Sequence, residues 1–239
     1  MSRVRVLSRT RRLSTGGHWL PSSARAWLEK VENAAFTRAL TDAMKKIPQI
    51  SGREEAIANA ITSSAAEIYD DAYRGTDAPS DAAATHAKAA ARTIATYQQL
   101  RPYLGSDEAT MNIIRTHLGS ERTAQTMNGG LIKGALLLSR DKVATLAGML
   151  GNITNDLAPG AWTREDVRRV VSFTTCSCTY HAFFKKYDME FLTQTTCCSL
   201  DVDVWFSNVD PTTASVTLEE SLARGDPQCR VVLRPGNPY

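Results

Sequence analysis

No stretch of this 239-residue chain approaches the ~20 consecutive apolar residues that a membrane-spanning helix needs. The best candidate, Leu131 to Leu138, is short and broken by Lys133, so no membrane span is expected. Cysteine is absent until Cys176; all five, Cys176, Cys178, Cys197, Cys198 and Cys229, lie in the last third. An odd number with no secretory signal argues against a disulfide framework. They read as reduced thiols, serving as core residues, reactive groups or metal ligands. Phosphate-cradling glycine motifs are missing too. Gly129-Gly130 and Gly134 fit neither Gly-x-x-x-x-Gly-Lys nor Gly-x-Gly-x-x-Gly.

Acidic residues are missing from the start of the chain. Arg3, Arg5, Arg9, Arg11, Arg12 and Arg25 all precede the first acid, Glu29. Those six account for the formal charge of +3: the other 22 basic residues face 25 acidic ones. A nucleic-acid surface is a basic face on the folded domain, and this distribution does not predict one. Residues 1–22 instead have the Arg-rich, Ser-rich, acid-free composition of an organelle transit peptide. Arg12-Leu13-Ser14-Thr15 is similar to the context of mitochondrial presequence cleavage. The expectation is a cleavable targeting peptide, mitochondrial in preference to plastid; a basic disordered tail is the bland alternative. The chain as a whole, 43% apolar and 22% charged, has an ordinary globular composition.

Helical periodicity runs through residues 23–160. Leu28, Val31, Ala35, Ala39, Ala43 and Ile47 recur at steps of three and four, and Pro48 ends that segment. Ser51 followed by Glu54 predicts a capped start for the next helix, with Ala58, Ile61, Ala65, Ile68 and Ala72 on its buried face. Asp81 to Leu100 is alanine-rich and helix-forming, with a stop at Pro102 and Gly105. Ser106 opens a short helix. Gly129 to Leu150 is mixed, and Asn155 to Trp162 reads as a linker.

The pattern changes in residues 161–236. Val170 to Thr175 is β-branched and aromatic, which favours a strand. Tyr180–Tyr187 and Glu190–Thr196 read as short helices, and Val202–Phe206 as either strand or helix. Ala214–Glu219 and Cys229–Arg234 read as strands around a turn at Gly225-Asp226-Pro227. Helices first and strands later predict an α+β fold, with residues 161–236 and 23–160 joined in one domain. No internal repeat is present.

Residues 173–233 carry the chemistry-bearing side chains in a fixed order. Cys178-Thr179-Tyr180 follows the strand, Cys198-Ser199-Leu200-Asp201 comes next, and Gly225 with Cys229 precedes the last strand. This order resembles the C-terminal signature of the L-2-amino-thiazoline-4-carboxylate hydrolase family over roughly the last 70 residues. One departure is that Arg230-Val231 stands where the family has an acidic and then an aromatic residue, which leaves substrate choice open.

The resemblance implies a hydrolase acting on non-peptide C–N or C–S bonds of a small cyclic amidine or isothiourea. Ring opening needs water to attack the amidine-like carbon, and Asp201 is the expected general base. It could also orient the substrate's amino group, or simply cap a helix end. Cys178 and Cys198 are expected in the same site, with His181 as base or partner and Tyr180 and Cys229 against the substrate. Unbonded cysteine, however, often packs as a small hydrophobe. Arg168, Arg169, Arg224 or Arg230 could hold a substrate carboxylate, and Trp205 and Phe206 could form an apolar wall or pack in the core. No cofactor is expected; Cys178, Cys198, Asp201 and Cys229 make a less favoured set for zinc, because no Cys-x-x-Cys pair is present. Two other readings stay open: a non-catalytic ligand-binding or sensor module with structural cysteines and possibly zinc, and a helical scaffold built on residues 24–119.

Overall fold

Alanine and regularly spaced aliphatic residues produce the helical half. In the computed structural model, which describes residues 9–12, 34, 36–76, 79, 81–118, 129–158, 160–198 and 209–236, a helix over 36–44 (α1) buries Ala39, Leu40, Ala43 and Met44. Pro48 opens a single 3-10 turn, Pro48–Ile50, where its missing N–H costs nothing. Helix α2 spans Glu54–Ala72 and buries Ala58, Ile61 and Ala65, as the spacing predicts. The capping expectation is corrected. Arg53 precedes α2 and makes no side-chain cap bond. Ser51 is committed to the preceding turn, where its N–H donates to Pro48 O at 3.3 Å, and Gly52 then reverses the chain at φ +79°.

Helix α3, Asp81–Leu104, also departs from expectation by running through Pro102. A proline in the last turn forfeits one backbone bond. Leu100 is fully buried beside Tyr103 and Leu104 against α1 and α2, which offsets that loss. Gly105, at φ +72°, ends the helix with its N–H on Arg101 O. Ser106 then caps α4, Asp107–Ile113, by accepting from Ala109 N at 3.1 Å, as expected. Asp107 accepts from Tyr97 Oη at 2.8 Å and from Arg101, which lowers its carboxyl pKa and ties α4 to α3. A wider turn, Ile114–Leu118, continues α4.

The segment read as mixed forms two helices, α5 (Gly129–Leu138) and α6 (Lys142–Leu157). Asp141 caps α6 by accepting from Ala144 N at 3.0 Å. Helix α6 extends into the expected linker and lies across the sheet. Gly151 faces the Phe173 ring, and a Cβ there would be in ordinary contact with it at 3.4 Å.

The described strands form one antiparallel sheet in the order β1 (Arg9–Arg12), β2 (Thr163–Val167), β3 (Val170–Thr175), β5 (Cys229–Pro235), β4 (Ala214–Glu220). The α+β expectation is therefore met, with β3, β4 and β5 where the sequence places them. β2 is too charged to show in the sequence; it forms because it pairs with β3. β1 falls within residues 1–22 and pairs along β2, Arg9 opposite Asp166 and Arg12 opposite Thr163. Alternation sends Val171, Phe173 and Thr175 to the face that carries their partners Leu233, Val231 and Cys229. Helix α6 covers that face with Leu146, Ala147 and Leu150. The expected element at Val202–Phe206 lies outside the described residues.

Strands β2 and β3 join through two residues, Arg168 and Arg169, at φ 51° and 67°. Positive φ at both positions is the turn that Asn-Gly fits best, and a Cβ is strained there. Arg168→Asn with Arg169→Gly should therefore stabilise the protein by about 1–2 kcal/mol. The check is a urea titration, where the midpoint should rise with the slope unchanged. A lower midpoint would contradict the turn geometry.

Helices α7 (Thr179–Lys185) and α8 (Phe191–Thr193) follow β3. Phe183, Phe184 and Leu192 bury against Ala87, Ala90, Ala91 and Ile94 of α3. Each fully buried large side chain is worth about 1.5–3 kcal/mol in transfer terms. This cluster fastens the cysteine-bearing segment to the helical half. Among the described residues, no helix is long and apolar enough to cross a membrane.

Candidate functional site

The chain leaves β3 through a tight hydroxyl-locked bend. The buried Thr175 Oγ1 donates to Ser177 O at 3.0 Å and accepts from Ser177 N at 3.1 Å. This bend presents Cys176 to solvent and delivers Cys178, with extended backbone, to the N-cap of α7. Cys178 is buried, and its carbonyl accepts the first helical bond, from Ala182 N at 2.9 Å. The helix read from Tyr180 starts one residue earlier, at Thr179, which makes Cys178 its N-cap.

Tyr180 and His181 occupy the second and third positions of α7, both half-buried. Each is held by another element. Tyr180 Oη lies 3.4 Å from His86 Nδ1 of α3, with the two rings 5.4 Å apart. His181 Nδ1 lies 3.4 Å from Oγ1 of Thr193, a buried residue of α8. Both separations are at the long end of hydrogen bonding. Neither His86 nor Thr193 stands out in the sequence. His86 belongs to an alanine-rich helix 94 positions from its tyrosine, and no local pattern joins them.

Helix α8 widens into the turn Gln194–Cys198, which carries Cys197 and Cys198 on its backbone. Thr196 Oγ1 donates to Leu192 O at 2.6 Å, fixing the turn to α8. The turn packs against two others, Ile114–Leu118 after α4 and the 3-10 turn Leu222–Arg224 that follows β4. Leu222 N–H in turn donates to Cys229 Sγ at 3.4 Å. Cys229 is buried, opposite Thr175, at the end of the core-facing row of Phe173 and Val231.

The Gly225-Asp226-Pro227 turn has a structural explanation. Gly225 takes φ +87°, which favours glycine. Asp226 Oδ2 accepts from Ser221 N at 2.7 Å and lies 3.4 Å from Arg224 Nε. Ser221 is fully buried, and its Oγ accepts from Ala223 N at 3.2 Å. These bonds hold the Leu222–Arg224 turn between Cys229 and the Gln194–Cys198 turn.

Comparisons of the chain with family models, curated proteins and solved structures find no match. The reading of this site rests on its own residues. Cys229 lies in the core between the sheet and α6, and the turn bearing Cys198 packs beside it through Leu222–Arg224, whereas Tyr180 packs with Phe183 and Phe184 against α3 and His181 faces Thr193 of α8. Asp201, Trp205 and Phe206 lie outside the described residues, as does the Cys198 side chain. Among the described residues, no three His, Cys, Asp or Glu side chains form a metal-binding group.

The four arginines singled out in the sequence now separate. Arg168 and Arg169 sit beyond the other end of β3, roughly 20 Å along the strand from Thr175. Arg230 lies 3.8 Å from Glu219 and 4.0 Å from Glu220. Arg224 is at the cysteine end, but its Nη2 donates to Glu219 O at 2.7 Å. A fifth, Arg115, was not singled out. It follows α4 and lines a cleft of about 520 Å³ with Asn112, Met111 and Thr195, the last of these three residues before Cys198. Arg115 Nη2 donates to Asn112 Oδ1 at 2.9 Å.

Exposure orders the thiols. Iodoacetamide on the native protein should alkylate Cys176 well before Cys178 and Cys229, since only Cys176 of these three is exposed. Peptide mass mapping over time reads the order, and equal rates would mean that the α7 cap opens readily.

Proposed function

We propose that this protein hydrolyses a small cyclic amidine or isothiourea bearing a carboxylate, of the 2-amino-thiazoline-4-carboxylate type. One observation carries the reading. Thr175, three residues before Cys178, pairs with Cys229, and the turn that ends at Cys198 packs against the Leu222–Arg224 turn, whose Leu222 N–H donates to Cys229 Sγ. Asp201 is three residues beyond Cys198 along the chain.

In this reading water is the nucleophile. Asp201 takes a proton as the water oxygen bonds to the amidine carbon. The tetrahedral carbon then expels its ring sulfur or ring nitrogen, which receives that proton, and the product differs from the substrate by one water. In this reading Cys178 and Cys198 would line the substrate pocket, and His181 and Tyr180, held near Thr193 and His86, would contact the ring substituents. Cys229 closes the floor. Arg115, which shares its cleft with Glu108 and donates Nη2 to Asn112, is the arginine we assign to the substrate carboxylate. No cofactor takes part.

The test is direct. Full-length protein is incubated with 2-amino-thiazoline-4-carboxylate and followed by mass spectrometry and a thiol reagent. A gain of one water with thiol release marks C–S cleavage, and the same gain without a thiol marks C–N cleavage. Unaltered substrate would defeat the proposal.

A second reading has its own support. Burial of Cys229 at the end of a core row suits a structural cysteine in a binding or sensor module. Elemental analysis showing about one zinc per chain, with no turnover, would favour it. We further propose that residues 1–22 target the protein to an organelle, the mitochondrion first. Removing them would also remove β1 and uncover the edge of β2.

A further inference from the structure

Helix α5 ends in two leucines that the fold leaves in solvent. Leu136 is buried in one core cluster with Leu146, Ala147 and Leu150 of α6, which fixes α5 against the domain. The next two residues, Leu137 and Leu138, are 84% and 89% exposed. Each forgoes the transfer free energy that burial would supply. The turn that follows them is short and braced. Ser139 Oγ and Thr145 Oγ1 lie 2.6 Å apart, and Asp141 Oδ1 accepts from Ala144 N at 3.0 Å. The two leucines are therefore held out at a structured tip of the α5–α6 hairpin.

Cations flank the pair. Lys133 stands one helical turn before Leu137, on the same face of α5, and Arg140 follows Leu138 by two residues. Both are exposed, and neither makes an ion pair among the described residues. Asp210, whose carboxyl pKa is lowered chiefly by hydrogen bonds from Thr212, also feels the charge of Lys142. With Lys142 set against Asp210, and one of the two unpaired cations against Asp141, the tip keeps one positive charge. Adjacent exposed leucines beside unpaired cations match a surface with a hydrocarbon interior and anionic headgroups. A second copy of this chain fits less well. Two side chains offer far less than the roughly 800 Å² per partner of a stable dimer, and an isologous contact through them would crowd like charges. We propose that the α5–α6 tip docks on an anionic phospholipid bilayer, Leu137 and Leu138 entering the acyl boundary and Lys133 and Arg140 lying at the headgroups. The contact rests on the membrane surface and does not span it.

The test uses full-length protein and vesicles of phosphatidylcholine, alone or with about one-third phosphatidylserine. Hydrogen exchange read by mass spectrometry is local, so attachment through the basic residues 1–22 is not mistaken for docking of the tip. At saturating anionic lipid, the amides of residues 137–142 should exchange several-fold more slowly than without lipid, and phosphatidylcholine alone should give a smaller effect. Leu137→Ser with Leu138→Ser should abolish the slowing and leave the circular dichroism spectrum unchanged, because both positions are exposed. Lys133→Gln with Arg140→Gln should raise the lipid concentration at half-protection about tenfold, the worth of two surface cations less the opposition of Asp141. Unchanged exchange at the tip would overturn the proposal, whether or not the protein is bound elsewhere. So would a leucine variant that keeps the protection, or a charge variant with the wild-type midpoint. A dimer in sedimentation velocity that the leucine variant dissolves would put a second copy on the tip and overturn it too.

Discussion

Asp201→Asn should lower turnover of 2-amino-thiazoline-4-carboxylate by roughly 10²–10⁴-fold, the usual contribution of a positioned general base. The amide keeps the size of the carboxylate but cannot take a proton from water. A different role for the same residue leaves a different signature. If Asp201 only orients the substrate's amino group, its loss removes a charge-assisted contact worth about 1.5–3 kcal/mol, felt equally in the ground and transition states. KM then rises with kcat nearly intact. A base shows the reverse, with kcat falling and KM close to the wild type. Thermal unfolding of the variant must match the wild type for either result to count.

Phe173→Ala should destabilise the protein by about 3–5 kcal/mol. Phe173 is fully buried at the centre of β3, opposite Val231 and under Gly151 of α6. The Arg164 guanidinium lies 5.7 Å from its ring. Leu146, Ala147 and Leu150 of α6 share a core cluster with Phe173, and such neighbours relax only partly into a vacated volume. The loss is large against the ~5–15 kcal/mol total of an ordinary domain. Urea unfolding measures it. The effect should reach the site as well, since Thr175 is two residues further along the same face. Cys229 should therefore become more reactive to alkylation in the variant. A cost below about 1 kcal/mol would mean that the α6–sheet contact is not tight.

The parts of this fold legible in the sequence are those written in local patterns. Ala58, Ile61 and Ala65 recur at helical spacing, and their helix buries them. Val170 to Thr175 and Cys229 to Arg234 are β-branched or apolar runs bounded by turn residues, and both are strands. Ser106 caps the helix that it precedes. The hidden parts depend on partners far along the chain. Thr163–Val167 has the composition of a loop and is a strand because β3 offers it a ladder. Pro102 reads as a stop, yet tertiary packing of Leu100 and Leu104 carries α3 past it. Ser51 reads as a cap, but the Pro48 turn claims it first.

The site divides in the same way. Cys178 at a helix start is legible as a strand running into a helical pattern. His86, Thr193 and Arg115 have no such local signal. They reach the cysteine-bearing segment across 94, 12 and 80 positions of chain, through the packing of α3, α8 and the turn after α4. Only the folded chain shows which histidine holds Tyr180 and which arginine adjoins the turn of Cys198.

If the signature segments form a single cavity, a short bifunctional thiol reagent should bridge them. In a Cys176→Ser, Cys197→Ser protein, dibromobimane should join Cys198 to Cys178 or Cys229 in the native state, seen as one linked peptide pair by mass spectrometry. The substrate should slow the bridging. Mono-alkylated cysteines without a bridge, at reagent levels that bridge the unfolded protein, would place Cys198 away from the other two thiols and remove the basis for the hydrolase.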